Sequence, residues 1–234
     1  MQRRFARLTL VLAIALPQAS LAQAQKTPTP YPAMAPLNQY LIADQSAEIA
    51  LARSAAPKSI SDHAEILVLG KHGYETAVKG TNGFVCMVER AWTTTPDDPG
   101  FWNPKARAPF CLNAQAAQTY LPITEMKTQL ALAGKSKAEM AAAINAAFDQ
   151  KKLQPIASGS MCYMMSKQGY LNDQAGHWHP HVMFLRPLTK PEAWGANLPS
   201  SPVLATQDTE DRMTVFMVPV AHWSDGTPDS NPHF

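Results

Sequence analysis

Short apolar runs mark the two ends of this chain, and a helical period governs its middle. Residues 65–70 (EILVLG) form a compact apolar run. Residues 71–73 (KHG) read as a turn, residues 74–79 alternate, and residues 84–90 (FVCMVER) are strongly apolar. Alternation and short apolar runs are the marks of strands, because successive side chains of an extended backbone point to opposite faces. Asn82-Gly83 closes the GTNG link between the last two runs, and Asn-Gly is a hairpin signal because both positions tolerate positive φ. An antiparallel meander is expected here. A short helix is expected before it, at 46–54, with Ile49 and Ala50 facing inward.

The middle of the chain is helical. Residues 113–120 predict a short helix ended by Pro122, and 124–133 predict a second closed by Gly134 at its C′ position. Ser136 and Glu139 have capping-box spacing, which opens an Ala-rich helix running to about residue 152. Met140, Ile144, Ala147 and Phe148 fall on one face of it. Three further strands are expected at 160–167, 179–186 and 212–220, the first two joined by a link short enough for antiparallel neighbours. Two long Pro-rich loops, 93–109 and 188–201, separate these elements. Phe101 and Trp102 are expected to pin the first, and Trp194 reads as buried in the second. The predicted fold is α+β: an antiparallel sheet of about five or six strands with the central helices packed on one face.

The ends set the compartment. Arg3, Arg4 and Arg7 precede an apolar run, LTLVLAIAL, too short to span a bilayer, and Pro17 and small residues at Ser20, Ala22 and Ala24 follow. That order predicts a cleavable secretory signal over residues 1–24 with no lipobox cysteine. The expected organisation is a Pro-rich tether at 25–42, one globular domain at 43–223 and a polar tail at 224–234. The product is periplasmic or secreted, and no later segment is long and apolar enough to span a membrane. The formal charge of +2 includes the three leader arginines, so the remainder carries −1. A near-neutral exported chain has no electrostatic case for nucleic acid as a partner.

Export also bears on the cysteines. Three are present, Cys86, Cys111 and Cys162. In an oxidising compartment an odd count means one bridge and a spare thiol, or three buried thiols with no bridge. Cys86 with Cys111 is the preferred pair, since they flank one loop.

The chemistry concentrates in His177-Trp178-His179-Pro180-His181. In an extended backbone, alternate residues share a face, so His177, His179 and His181 can converge. Imidazoles so spaced bind Zn or Cu, each oriented by an acceptor on its other nitrogen. Pro180 cannot donate to a ladder, which places this stretch at an edge, a bulge or a strand start. His222 is the expected fourth ligand, with His72, Asp173 and Glu89 as further candidates, the two carboxylates also as bases. Met161, Met164, Met165 and Met183 flank the histidines and Met213 and Met217 lie in the last strand; they read as core, although thioethers select Cu(I). Cys162 beside a histidine is a third arrangement, a nucleophile pair. Two functions remain open: an exported protein binding Zn or Cu through His177, His179, His181 and His222, and a non-catalytic ligand-binding or envelope-associated module whose histidines are structural.

Overall fold

The computed structural model describes residues 30–230. The signal expected at 1–24, the start of the tether and the last four residues of the tail lie outside that range. Among the described residues the strands are β1 (Glu65–Gly70), β2 (Gly73–Val78), β3 (Val85–Glu89), β4 (Ala108–Leu112), β5 (Met161–Met164), β6 (His181–Pro187), β7 (Leu204–Asp208) and β8 (Met213–Pro219). The helices are α1 (Gln45–Arg53), α2 (Lys58–Ser61), α3 (Ala114–Thr119), α4 (Leu121–Leu132) and α5 (Lys137–Asp149). All eight strands join one sheet in the order β2-β1-β3-β4-β5-β6-β8-β7.

The α+β class holds, but the sheet is larger than expected and mixed. β1 and β2 form the antiparallel hairpin, while β3 pairs with β1 in parallel. The GTNG link is therefore no hairpin. It crosses beneath the start of β1, where a Cβ on Gly80 would sit 2.1 Å from the Glu65 amide nitrogen, so only glycine fits. Asn82 holds the crossing in place: its amide donates to the Ile60 carbonyl and its Oδ1 accepts from the Phe84 amide. The two strands missing from the sequence reading are β4, hidden by Pro109 at the end of a Pro-rich loop, and β7, a polar edge strand (LATQD) without an apolar run.

The central helices follow their sequence signals closely. Asn113 caps α3 through the Ala116 amide. Pro122 opens α4 rather than ending α3, as suits a residue with no amide hydrogen to leave unsatisfied in a first turn. The Ser136–Glu139 capping box is formed, and α5 buries Met140, Ile144, Ala147 and Phe148. This face meets Leu67, Met87, Phe110, Leu112, Cys162 and Leu185 of the sheet.

The opposite sheet face is also covered at one end. Ile66, Cys86, Val88 and Cys111 pack there on Ala52 and its neighbours at the end of α1. Helix α1 buries Glu48 and Ala52, and Ala50 is exposed. The reason is electrostatic. The Glu48 carboxylate accepts from Arg90 at 2.8 Å and from the Leu69 amide at 3.1 Å. Arg90 also donates to the carbonyls of Tyr40 and Val88, so the buried guanidinium ties the chain before α1, α1 itself and the end of β3 together. Phe101 and Trp102 are buried against Tyr40 and Trp92 and pin the 93–109 loop as expected. Trp194 is instead 52% exposed, lying against Phe216 and under the Arg186 guanidinium. In the same loop Asn197 bonds both the amide and the carbonyl of Ala205, blocking the outer edge of β7 against further pairing.

Cys86 and Cys111 stand directly opposite on β3 and β4, are bonded, and leave Cys162 as a buried free thiol. Such a bridge suits an oxidising compartment. No helix among the described residues is long and apolar enough to cross a membrane.

Two stability outcomes follow from these links. The bridge closes a loop with a sequence separation of 25, so a Cys86→Ala/Cys111→Ala variant should lose about 3 kcal/mol in denaturant unfolding; a loss under about 1 kcal/mol would mean that packing alone holds β3 to β4. Glu48→Ala, which strands a buried guanidinium, should cost about 3–5 kcal/mol in the same assay.

Candidate functional site

The histidine segment is shaped by a tight loop before it and a returning turn behind it. Asn172 Oδ1 accepts from the amides of Gln174 and Ala175, and the Leu171 amide donates to the Gly176 carbonyl, with Gly176 at φ +57°. The chain then runs through His177 into β6, which begins at His181. Pro180 precedes the strand, and its carbonyl accepts from the Val220 amide. Of the edge, bulge or strand start expected for Pro180, the structure has it just before the start of β6. After β8, Asp225-Gly226 turns the chain back, with Trp223 donating to Thr227 and the Asp229 amide donating to Ala221.

This turn delivers Asp229 to His179. Their Oδ2 and Nδ1 lie 2.6 Å apart, with both side chains largely buried. His181 is buried, and its Nδ1 lies 2.7 Å from the His179 carbonyl. That carbonyl accepts only, so the proton of His181 sits on Nδ1 and the lone pair on Nε2. Burial pushes the His181 pKa down to about 4, against a smaller upward pull from the bond to His179. The ring is neutral at pH 7. Trp178 packs edge-on against His181, with ring centroids 4.6 Å apart.

Two cavities meet here. One, of about 20 Å³, is bounded by His177, His179 and His181 together with Met164, Ser166 and the Trp178 ring. The other, of about 220 Å³, lies between Trp178, Trp223, His177, His179 and Asp229. The β5–β6 register places Met164 directly opposite His181, and Cys162 opposite Met183.

The sequence-nominated residues therefore divide. His177, His179 and His181 border one cavity, although the exposed His177 has its ring edge-on to Trp223, with centroids 5.4 Å apart. Among the described residues no group of three or more His, Cys, Asp or Glu side chains is placed to hold a metal ion. His222 is exposed on a bridge to Pro228 and borders neither cavity. His72 lies exposed in the β1–β2 turn, at the far end of the sheet. Asp173 accepts from the hydroxyls of Tyr170 and Tyr31, which hold its carboxyl below its ordinary range, and the bond to Asp173 in turn raises the Tyr31 phenol to about 12.

Cys162 is opposite Met183 rather than a histidine, and burial, with the Glu89 carboxylate nearby, pushes its thiol up. A thiol so held makes no thiolate nucleophile at neutral pH. Ser166 borders the histidine cavity, but its hydroxyl is engaged by Ser54 at 2.6 Å and by the Gln168 amide. Among the described residues no histidine is hydrogen-bonded to it.

Glu89 lies on the other side of the sheet's centre, at the end of β3. Its Oε1 accepts from Tyr120 and Thr124 at 3.1 Å each. Beside it Lys127 bonds Asp211 at 2.6 Å and the Thr93 carbonyl at 3.1 Å. Burial raises the Glu89 carboxyl to about 7, only partly offset by the Tyr120 and Thr124 hydroxyls and by Lys127. Burial likewise raises Asp211 to about 6 against the pull of Lys127. These groups join helix α4 to the sheet and do not face the histidines.

Asp229 and Met164 border the histidine cavities and are the neighbours that sequence reasoning left out of the candidate site. The Asp225-Gly226 turn was a local signal that the chain returns after β8. Met164 was visible as a neighbour of the histidines, but its register was not. No protein-family model matches the chain, and no curated protein or solved structure is significantly similar to it.

Glu89 supplies a pH prediction. Its folded-state value, about 7, lies above its ordinary 4.5. The fold thus favours the protonated acid, and the Glu89 contribution is complete below 4.5 and lost as pH rises toward 7. Glu89→Gln should remove that loss, gaining up to about 3 kcal/mol on the parent between acid and mildly basic pH in urea unfolding. A constant difference across that range would show that Glu89 ionises normally.

Proposed function

We propose that this is an exported transition-metal-binding protein in which Nε2 of His179 and Nε2 of His181 take a Zn or Cu ion. The observation that carries the reading is the state of the two neighbouring rings. Each Nδ1 is held by an oxygen, Asp229 for one and the His179 carbonyl for the other. Metal-ligating histidines are held in the same way, since an acceptor on one nitrogen fixes the tautomer and directs the other nitrogen at the ion. The neutral His181 needs no proton removed before it can ligate. The disulfide fits a compartment where such ions are met outside the cytosol. His177 lines the rim but is not one of the ligands, and His222 lies outside the set.

A second reading has its own observation. The 220 Å³ cavity presents two indole rings, two imidazoles and a carboxylate, a lining suited to a small polar or cationic organic ligand. On this reading the protein binds such a ligand beside the same His179–Asp229 pair and without a metal.

Elemental analysis of the mature protein, purified without an affinity tag, separates the two. Stoichiometric Zn or Cu is expected, lost in His179→Ala/His181→Ala and retained in His222→Ala. Asp229→Asn should weaken binding by about 10–100-fold while the fold survives, the usual effect of removing a ligand's hydrogen-bond partner. No metal on isolation and none on titration would remove the metal reading and leave the organic ligand.

A further inference from the structure

We propose that the ion taken at this pocket is Cu(I), with Sδ of Met164 as the third ligand beside His179 and His181. This rests on the metal reading above and names its metal and its sulfur donor.

The register is the first argument. Met164 and His181 are direct partners across the antiparallel β5–β6 pair. Directly opposed residues share a face, with Cβ atoms about 4.5–5.5 Å apart. His179 precedes His181 by two residues and borders the same cavity as both. The described residues bring no third His, Cys, Asp or Glu into ligating position with these rings. What they bring is a thioether. Thioethers bind Cu(I) and discriminate against Zn(II), whereas imidazole accepts either.

The size and charge of the pocket point the same way. Its volume of about 20 Å³ suits one small particle, since a single water needs about 10–15 Å³ by the same measure. Pro109, Leu171 and the Trp178 ring form much of its wall. An ion in such a place surrenders its hydration, and that cost grows with the square of the charge, so a monovalent ion costs about a quarter of a divalent one. Cu(I) with two neutral imidazoles and a thioether carries a single positive charge. The Asp229 carboxylate lies behind His179, its Oδ2 2.6 Å from the ring Nδ1.

Met164 also differs in setting from the other sulfur nearby. Both thioethers touch the helix-side core, but Met183 faces Cys162 two rungs further along the ladder and does not border the pocket, whereas Met164 lines it. Met164 is the thioether on the rung of His181. Ser166, the remaining polar side chain at the wall, is committed to Ser54 and the Gln168 amide.

The test is an anaerobic titration of the mature protein with Cu(I) against bicinchoninate, a parallel titration with zinc chloride, and X-ray absorption at the copper edge of the loaded protein. The parent is expected to prefer Cu(I) and to show nitrogen and sulfur scatterers. Met164→Leu, close in volume, should weaken Cu(I) by about tenfold or more, leave Zn(II) within about threefold, and lose the sulfur scatterer. Met183→Leu should retain it. The spectrum of the parent stands even if Met164→Leu is poorly folded. Copper bound through nitrogen alone, a sulfur signal that survives Met164→Leu, or a preference for Zn(II) would overturn this assignment while leaving His179 and His181 as ligands. A parent that binds neither metal would overturn the metal reading itself.

Discussion

The register of the β5–β6–β8 ladder is the constraint on which both core and site depend. Side chains alternate with a period of two, so one slip would move every inward residue to the opposite face. In the register observed, Met183 and Leu185 of β6 face the central helices, and Met213 and Val215 of β8 join them. Counting back two residues from Met183 places His181 on that same face, opposite Met164. The apolar residues that hold the sheet to α3–α5 thus position the histidine as well. Pro180, which has no amide hydrogen, ends the ladder there and frees the preceding segment to wrap back over its own strand.

Charge plays a different part in each half of the molecule. Glu48 and Arg90 are buried as a hydrogen-bonded pair that joins α1 to β1 and β3. Lys127 and Asp211 join α4 to the turn before β8, with the Asp211 carboxyl raised by burial and its Oδ1 left without a hydrogen bond among the described residues. Both pairs spend electrostatic energy on holding elements together. The His179–Asp229 pair is equally short but lies between two cavities. Position in the fold, rather than ion-pair geometry, separates a structural pair from a candidate site.

Local chemistry made several elements legible. The capping box at Ser136, the Asn113 cap and the apolar face of α5 are short-range features, and the chain obeys them because little in their surroundings opposes them. The pairing of Cys86 with Cys111 was also within reach of spacing. Other signals failed where long-range contacts overrode them. Asn82-Gly83 carries the hairpin sequence, yet its backbone serves a crossing under β1, because the parallel edge of β1 offers Cys86 and Val88 a buried place. Ala50 faces water because the buried Glu48 sets the rotation of α1.

The sequence by itself determined that the chain is α+β with helices between two groups of strands, and it singled out His177, His179 and His181 as candidates for chemistry. Tertiary structure alone decided which groups those histidines meet. Asp229 lies 50 residues from His179 along the chain, and Met164 meets His181 only through strand pairing. Neither link leaves a local trace, since a hydrogen bond across a turn and a rung of a ladder depend on register. Register in turn is set by the summed burial of many side chains, not by the residues that form the site.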